Sequence, residues 1–246
     1  MPEDERPHAA AHLSGPSALA VLSAGEVEVS GRLPWSSNYS FLVAVRLDGA
    51  ELRAVYKPGR GERPLWDFGD HLYRREVAAY ELSAYCGLGL VPETVLRLDA
   101  PLGEGSLQRF VGADFSKHYF SLLEEPAHLE RLEELAGLDL LMNNADRKAG
   151  HVLVDAAGGI WGIDNGLCFH AEAKLRTVMW DFACEPLPES VLSACRRLVL
   201  ALPSSLGRLL NPAECSALQA RARRLLERPR FPEPRDDHRS YPWPLV

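Results

Sequence analysis

The chain has 246 residues, 25% of them charged and 46% hydrophobic, with a formal net charge of −7 from 27 Lys+Arg against 34 Asp+Glu. That profile fits a globular protein of one large domain or two lobes sharing an interface, burying about 70–75% of its unfolded surface without disulfide or metal staples. The acidic balance argues against a general nucleic-acid binder and against a polybasic membrane-surface protein, while leaving room for a local basic patch.

Residues 1–14 are polar and Ala-rich, which predicts a mobile N-terminus; no apolar h-region marks a signal peptide. No apolar run approaches the roughly 18 residues of a membrane span. The five cysteines (Cys86, Cys168, Cys184, Cys195, Cys215) form no CxxC pair and read as reduced thiols. The expectation is a cytoplasmic protein without stable membrane association and without a nucleic-acid partner.

PSALAVLSAG (16–25) predicts a short helix stopped by Gly25. EVEVSGRL and FLVAVRL alternate as strands, Asp48-Gly49 is a turn signal, and ELRAVYKP (51–58) is a third strand closed by Pro58, so 26–57 reads as an antiparallel meander. GERPLWDFGD (61–70) is a loop and HLYRREVAAYELSAYC (71–86) a helix, with Gly87 suited to its C′ position. VPETVLRLD and GSLQRFV are two further strands. After Gly112 helices dominate, at 127–142, around 188–201 and at 212–227, interrupted by a hairpin at 151–164. The tail, RPRFPEPRDDHRSYPWPLV, is either a disordered end or a strap held by Tyr241 and Trp243. The division is then a mobile segment 1–14, an N-terminal lobe 15–111, a C-terminal lobe 112–228 and a Pro-rich tail 229–246. A small sheet with one helix followed by a mainly helical lobe leaves a cleft between them, where ligands usually bind.

NNADRKAGHVLV (143–154) concentrates charge between two apolar elements. Pairing Val154 with Trp161 across the hairpin puts Asp164 opposite His151; a slip of one residue puts it opposite Gly150 or Val152. Asp146, His151 and Asp164 then gather at one end of one hairpin. Two carboxylates brought together repel unless a cation or proton lies between them, and a divalent metal completed by phosphate oxygens resolves the conflict. Taken singly, each acid also reads as a turn residue, since DNG is a tight-turn signal and Asp146 follows a helix. Lys57 ends a strand, where a lysine is ordinarily solvated. Glu76 lies on a helix face with Leu72, Ala79, Tyr80 and Ser83, and seeks a cation, either Lys57 or its neighbours Arg74 and Arg75. Ser36, Ser37 and Asn38 form either a plain hairpin loop or a set of N–H groups and hydroxyls facing an anion. His170, Lys174 and Arg176 face an anionic acceptor or make a solvated basic face. Loop, strand Lys, helix Glu, linking strand, Asp after a helix, hairpin and second Asp follow the order of a protein kinase.

NNADRKAGHVLV followed by WGIDNGLCF resembles the catalytic segments of the phosphatidylinositol 3-/4-kinase-like superfamily, in pattern the type II phosphatidylinositol 4-kinases. AVYKP matches their strand lysine and REVAAYEL their helix with the paired glutamate. Through PWSSN, GERPLWDF, NNADRKAGH and KLRTV the chain also resembles a family of small actinobacterial kinase-like proteins, over roughly residues 18–190. The resemblance implies an α+β, two-lobed protein-kinase-like fold, with an N-terminal antiparallel sheet plus one helix and a mainly helical C-terminal lobe. It implies that Lys57 holds the α/β-phosphates of ATP with Glu76 orienting it. Ser36, Ser37 and Asn38 would cover the phosphates, and Gln108, Phe110 and Val111 would meet adenine at the hinge. Asp146 would orient the acceptor hydroxyl, Lys148 stabilise the transferred phosphate, and Asp164 with His151 hold Mg²⁺ or Mn²⁺. Two departures bear on chemistry. His151 stands where the pattern has a metal-binding Asn, and imidazole is the softer ligand; Mn²⁺ preference, single-metal chemistry or loss of catalysis would each fit. No lipid-binding insertion is apparent, so phosphoinositide is not the expected acceptor.

The implied function is an ATP- and divalent-metal-dependent phosphotransferase acting on a protein or small-molecule hydroxyl. The alternative is an inactive pseudokinase serving as a nucleotide-binding scaffold. AMP transfer on the same fold and a non-kinase metal-dependent hydrolase are remoter readings, and the last leaves Lys57 and Glu76 without a role.

Overall fold

The computed structural model describes residues 13–33, 39–63, 65, 67–234 and 240–246. The N-terminal half is a five-stranded, fully antiparallel sheet of β1 (Glu26–Arg32), β2 (Phe41–Leu47), β3 (Ala50–Pro58), β4 (Thr94–Arg97) and β5 (Gly105–Arg109) in the order β1-β2-β3-β5-β4. Strand alternation sorts its residues onto two faces. Val43, Val45, Leu52, Ala54, Tyr56 and Leu107 share a buried cluster with Ala18, Val21 and Leu22 of α1 (Gly15–Ala24), which stand at i, i+3 and i+4 on one side of that helix. Arg97 of β4 donates to the Leu22 and Gly25 carbonyls at 3.0 and 2.9 Å, closing the C-terminal end of α1. The other face carries Val55 and Lys57 of β3 opposite Gln108 and Ser106 of β5. Gly105, paired with Pro58, lets the two strands close there, because a Cβ at that position would run into the Lys57 carbonyl.

The second helix, α2 (Leu72–Cys86), ends at Gly87 in the left-handed conformation, φ 74°. Its apolar side, Ala78, Ala79, Leu82 and Cys86, packs into the larger core with α4 (Leu129–Met142), α5 (Glu189–Leu200) and α7 (Pro212–Glu227) rather than into the cluster under α1. Buried Arg75 secures it, donating to the Cys168 carbonyl and to Glu214 of α7. So α2 spans the seam: its apolar side joins the helical core, it also packs along β4 and β5 of the sheet, and Glu76 reaches Lys57 of β3.

The hairpin of β6 (Val152–Val154) and β7 (Ile160–Gly162) pairs Val154 with Ile160, one residue away from the expected register. Two short helices lie outside the expected ones: α3 (Tyr119–Leu123), where the Ser121 hydroxyl accepts the His118 N–H at 3.0 Å, and α6 (Ser204–Leu209). At five and six residues they are too short for apolar periodicity to register. Among the described residues no helix is long and apolar enough to cross a membrane.

The chain after α7 folds back as a strap. Phe231 is buried against Phe182, ring centroids 5.8 Å apart. Farther on, the Ser240 carbonyl accepts from the Thr177 N–H at 3.1 Å and from Trp180 Nε1 at 3.0 Å, and the Leu245 carbonyl accepts from the Ala149 N–H at 2.8 Å. The Tyr241 ring meets Trp180 edge-on. Trp243, expected as an anchor, is 87% exposed, and the Ser240 and Leu245 carbonyls tie the strap down beside Tyr241.

Candidate active site

Lys57 is the penultimate residue of β3, and its ammonium bonds the Glu76 carboxylate and Asp164 Oδ1, the latter at 2.7 Å. Glu76 is 2% exposed, and its second oxygen accepts the Asn165 N–H at 3.0 Å. A carboxylate that deep needs a cation. Lys57 supplies it, whereas Arg75, the competing neighbour, is committed to Glu214.

Asp164 reaches Lys57 because the hairpin ends two residues earlier. At φ 57° its backbone is left-handed, which Asp tolerates better than most residues and which cancels the strand parity that the shifted register would impose. Its other oxygen lies 3.3 Å from His151 Nε2. Asp164 and His151 therefore meet as expected, although through the turn conformation and not by cross-strand pairing. Asp146 sits apart from that contact: its Oδ2 is 3.2 Å from Lys148 Nζ, its N–H donates to Asn144 Oδ1 at 3.0 Å, and its carbonyl lies 3.0 Å from His151 Nδ1.

Arg147, absent from the expected site residues, joins these parts. It is fully buried, and all five of its N–H donors have acceptors. Nε and Nη2 grip Asp139 of α4 at 2.8 and 2.9 Å; Nη2 also reaches Asn165 Oδ1 at 2.7 Å; Nη1 serves the Ile163 and His151 carbonyls at 2.7 and 3.4 Å. One guanidinium thus fixes the Asp146 loop and the Asp164 turn to α4. The signal for it was Asp139, a carboxylate within the apolar run LDLLM, which is costly without a cation.

Gln108, Phe110 and Val111 run from β5 into the link between the halves. The Gln108 amide donates to Thr94 Oγ1 at 2.9 Å, so it is spent within the sheet. Phe110 lies under the Arg53 guanidinium and 6.1 Å from the Phe115 ring, and Val111 is buried. The link then joins the hairpin, Asp114 N–H donating to the Val154 carbonyl at 3.0 Å. Ser36, Ser37 and Asn38 lie outside the described residues. Of the basic trio, Lys174 is neither open nor solvated: its ammonium is 3.1 Å from Asp67 in the 61–70 loop, with the Phe68 ring against both it and His170. A separate cavity of about 590 Å³, lined by residues such as Arg60, His71, Leu98 and Glu104, includes none of the Lys57–Asp146–Asp164 group.

The electrostatics follow from burial and pairing. Burial drives the Asp146 carboxyl up to about 6 despite Lys148. Burial likewise lowers His151 to about 4, against the pull of Asp164, so the imidazole is neutral at pH 7. The Lys57 charge holds Asp164 well below the usual carboxylate range. Burial by itself would lower Lys57, but Asp164 and Glu76 outweigh it and raise the amine above its ordinary value. Among the described residues no three His, Cys, Asp or Glu side chains converge as a self-sufficient metal cage. What converges is one ionised carboxylate and one neutral imidazole nitrogen 3.3 Å apart, a partial donor set whose chemistry fits a Mg²⁺ or Mn²⁺ ion that water and phosphate oxygens would complete.

No family model matches the chain. It is 39% identical to Protein Rv2133c of Mycobacterium tuberculosis (strain ATCC 25618 / H37Rv) over 263 aligned positions, covering 92% of this chain and 94% of that one. Its fold matches the crystal structure of a Helicobacter pylori proinflammatory kinase, CtkA, with a TM-score of 0.50 over 85% of this chain and 94% of that one, at 13% identity. The fold is α+β and kinase-like, with a five-stranded antiparallel sheet followed by helices.

Proposed function

The chain belongs to the family of the Mycobacterium tuberculosis protein Rv2133c, and from that premise and its kinase-like fold we propose that it is an ATP- and divalent-metal-dependent phosphotransferase acting on a hydroxyl group. The observation that carries this reading is Lys57 held between Glu76 and Asp164, with Asp146 on the adjoining loop. The motif order favours a place in the phosphatidylinositol 3-/4-kinase-like superfamily.

The residues divide the work as follows. An ammonium has three donors; two of Lys57's go to Glu76 and Asp164, leaving one for an ATP phosphate oxygen. Glu76, itself fixed by Asn165, stops Lys57 from turning away. Asp164 and His151 would hold Mg²⁺ or Mn²⁺, which supplies charge neutralisation to the phosphates. Asp146 accepts the hydrogen bond of the attacking hydroxyl, and Lys148 beside it adds positive charge for the transferred group. Phe110 and Val111, in the link between the halves, would meet adenine. Catalysis of this kind is mostly positioning and charge stabilisation, which a set of side chains locked by Arg147 provides.

Thermal unfolding with ATP tests the reading. A ligand present at 100 times its dissociation constant adds about 2.7 kcal/mol of stability. ATP with Mg²⁺ or Mn²⁺ is expected to raise the Tm of the parent, and Asp164→Ala to lose the metal-dependent part of that rise. No shift with any nucleotide and metal contradicts the proposal.

A pH dependence follows from Asp146. Its folded pKa, about 6, is above the unfolded value, so its ionisation costs stability as pH rises through 6 while making it a better acceptor for the hydroxyl proton. His151 acts oppositely: depressed to about 4, it contributes stability above its unfolded value near 6.5 that is lost as pH falls toward 4. The rate of transfer is expected to climb between pH 5 and 7 with an apparent pKa near 6, set by Asp146. A flat rate profile across that window contradicts the assignment of Asp146.

A further inference from the structure

We propose that residues 240–246 occupy the docking site of the acceptor, and that the acceptor is therefore a segment of polypeptide chain held by its backbone carbonyls. The inference rests on the phosphotransferase reading and names the acceptor class for it.

Of the two N–H groups that receive the strap, one lies on the loop that carries Asp146 and the other on the segment bridged to it. Ala149, which donates to the Leu245 carbonyl, is three residues beyond Asp146 and next to Lys148. Thr177, which donates to the Ser240 carbonyl, is bridged in parallel to Arg147, with Arg147 N–H on the Arg176 carbonyl at 3.0 Å and Val178 N–H on the Arg147 carbonyl at 3.1 Å. The strap is thus suspended between the catalytic loop and the strand-like segment beside it, and Trp180 Nε1 adds a side-chain donor to the same Ser240 carbonyl.

How the strap is held distinguishes it from structural chain. Phe231, which secures the segment nearer to α7, is 6% exposed. In the strap Ser240 and Pro242 are buried, but Tyr241 is 44%, Trp243 87% and Val246 61% exposed. Beside buried Pro242 and the Tyr241 ring against Trp180, its ties to the segments around Asp146 are hydrogen bonds to main-chain carbonyls that any peptide possesses. Main-chain recognition of this kind tolerates sequence variation and permits exchange with a competing chain.

The test is a chain shortened to end at Arg239, with the labelled heptapeptide SYPWPLV supplied separately and followed by fluorescence anisotropy. The peptide is expected to bind the shortened chain at least tenfold more tightly than the full-length one, whose site is filled, and dephosphorylated casein is expected to displace it. No binding to a folded shortened chain, or equal binding to both, overturns the proposal. Should the shortened chain not fold, Tyr241→Ala in the full chain replaces it. Loss of the ring contact with Trp180 is expected to reduce protection of the Thr177 and Ala149 amides from hydrogen exchange together, and added casein is expected to restore it. Unchanged protection, or loss that casein does not restore, overturns the proposal. ATP binding measured on the same samples keeps the two readings apart. Peptide binding without ATP binding refutes the acceptor assignment along with the nucleotide site, and ATP binding without peptide binding refutes the docking site alone.

Discussion

Asp146→Asn is expected to lower phosphoryl transfer by about 10²–10⁴-fold, the usual contribution of a positioned acid or base, while ATP affinity changes by less than about threefold. The two effects separate because the site does. Lys57, Glu76 and Asp164 form one connected group, and Asp146 touches Lys148 and the backbone beside it instead. Asn keeps the shape of the side chain, and the backbone N–H of residue 146 stays on Asn144. Stability is expected to hold or rise at pH 7, since a carboxyl pushed up to about 6 by burial is ionised there at a cost. Steady-state kcat and the KM for ATP, with urea unfolding of both chains, check this. A variant that retains parental kcat, or that loses ATP affinity in proportion to rate, contradicts the assignment.

Arg147→Met is expected to cost about 3–5 kcal/mol of folding stability, the range for removing one partner of a buried ion pair. Met fills similar volume but leaves Asp139, 1% exposed, without its cation, and strips acceptors at Asn165 Oδ1 and the Ile163 carbonyl of their donors. Arg147→Lys keeps the charge without the planar fork and is expected to recover only part of the loss. A double-mutant cycle with Asp139→Leu isolates the pair: the double variant is expected to be more stable than Arg147→Met alone, because no uncompensated charge remains. Urea unfolding measures each term. A loss below about 1 kcal/mol for Arg147→Met, within the range of ordinary surface substitutions and exposed pairs, contradicts the role given to this guanidinium.

The strands were legible because alternation is a local property: EVEVSGR, FLVAVRL and AELRAVYKP are β1, β2 and β3 to within a residue or two of their expected bounds. The partnership of Lys57 with Glu76 was also legible, since an acid on an apolar helix face needs a cation and the strand before it ends in one. Three things were not. The hairpin register differs by one because three-residue strands contain too few alternating positions to fix it, and a left-handed Asp164 hides the difference by returning its carboxylate to His151. The allegiance of α2 depends on Ala78, Ala79 and Leu82 joining a core built from helices far later in the chain, which no local pattern encodes. The Ser240 and Leu245 carbonyls tie the strap down, and a carbonyl is the same atom in every residue, so the sequence pointed to Tyr241 and Trp243, of which the first meets Trp180 edge-on and the second is 87% exposed.

The most direct test of the nucleotide site is calorimetric titration of ATP into the parent chain and into Lys57→Met, each with and without Mn²⁺. The expected result is binding by the parent that strengthens with metal and weakens at least tenfold in Lys57→Met, with both chains folded. Metal-independent binding of equal affinity in the two chains, or no binding by the parent, would contradict a phosphate site built on Lys57, Glu76 and Asp164.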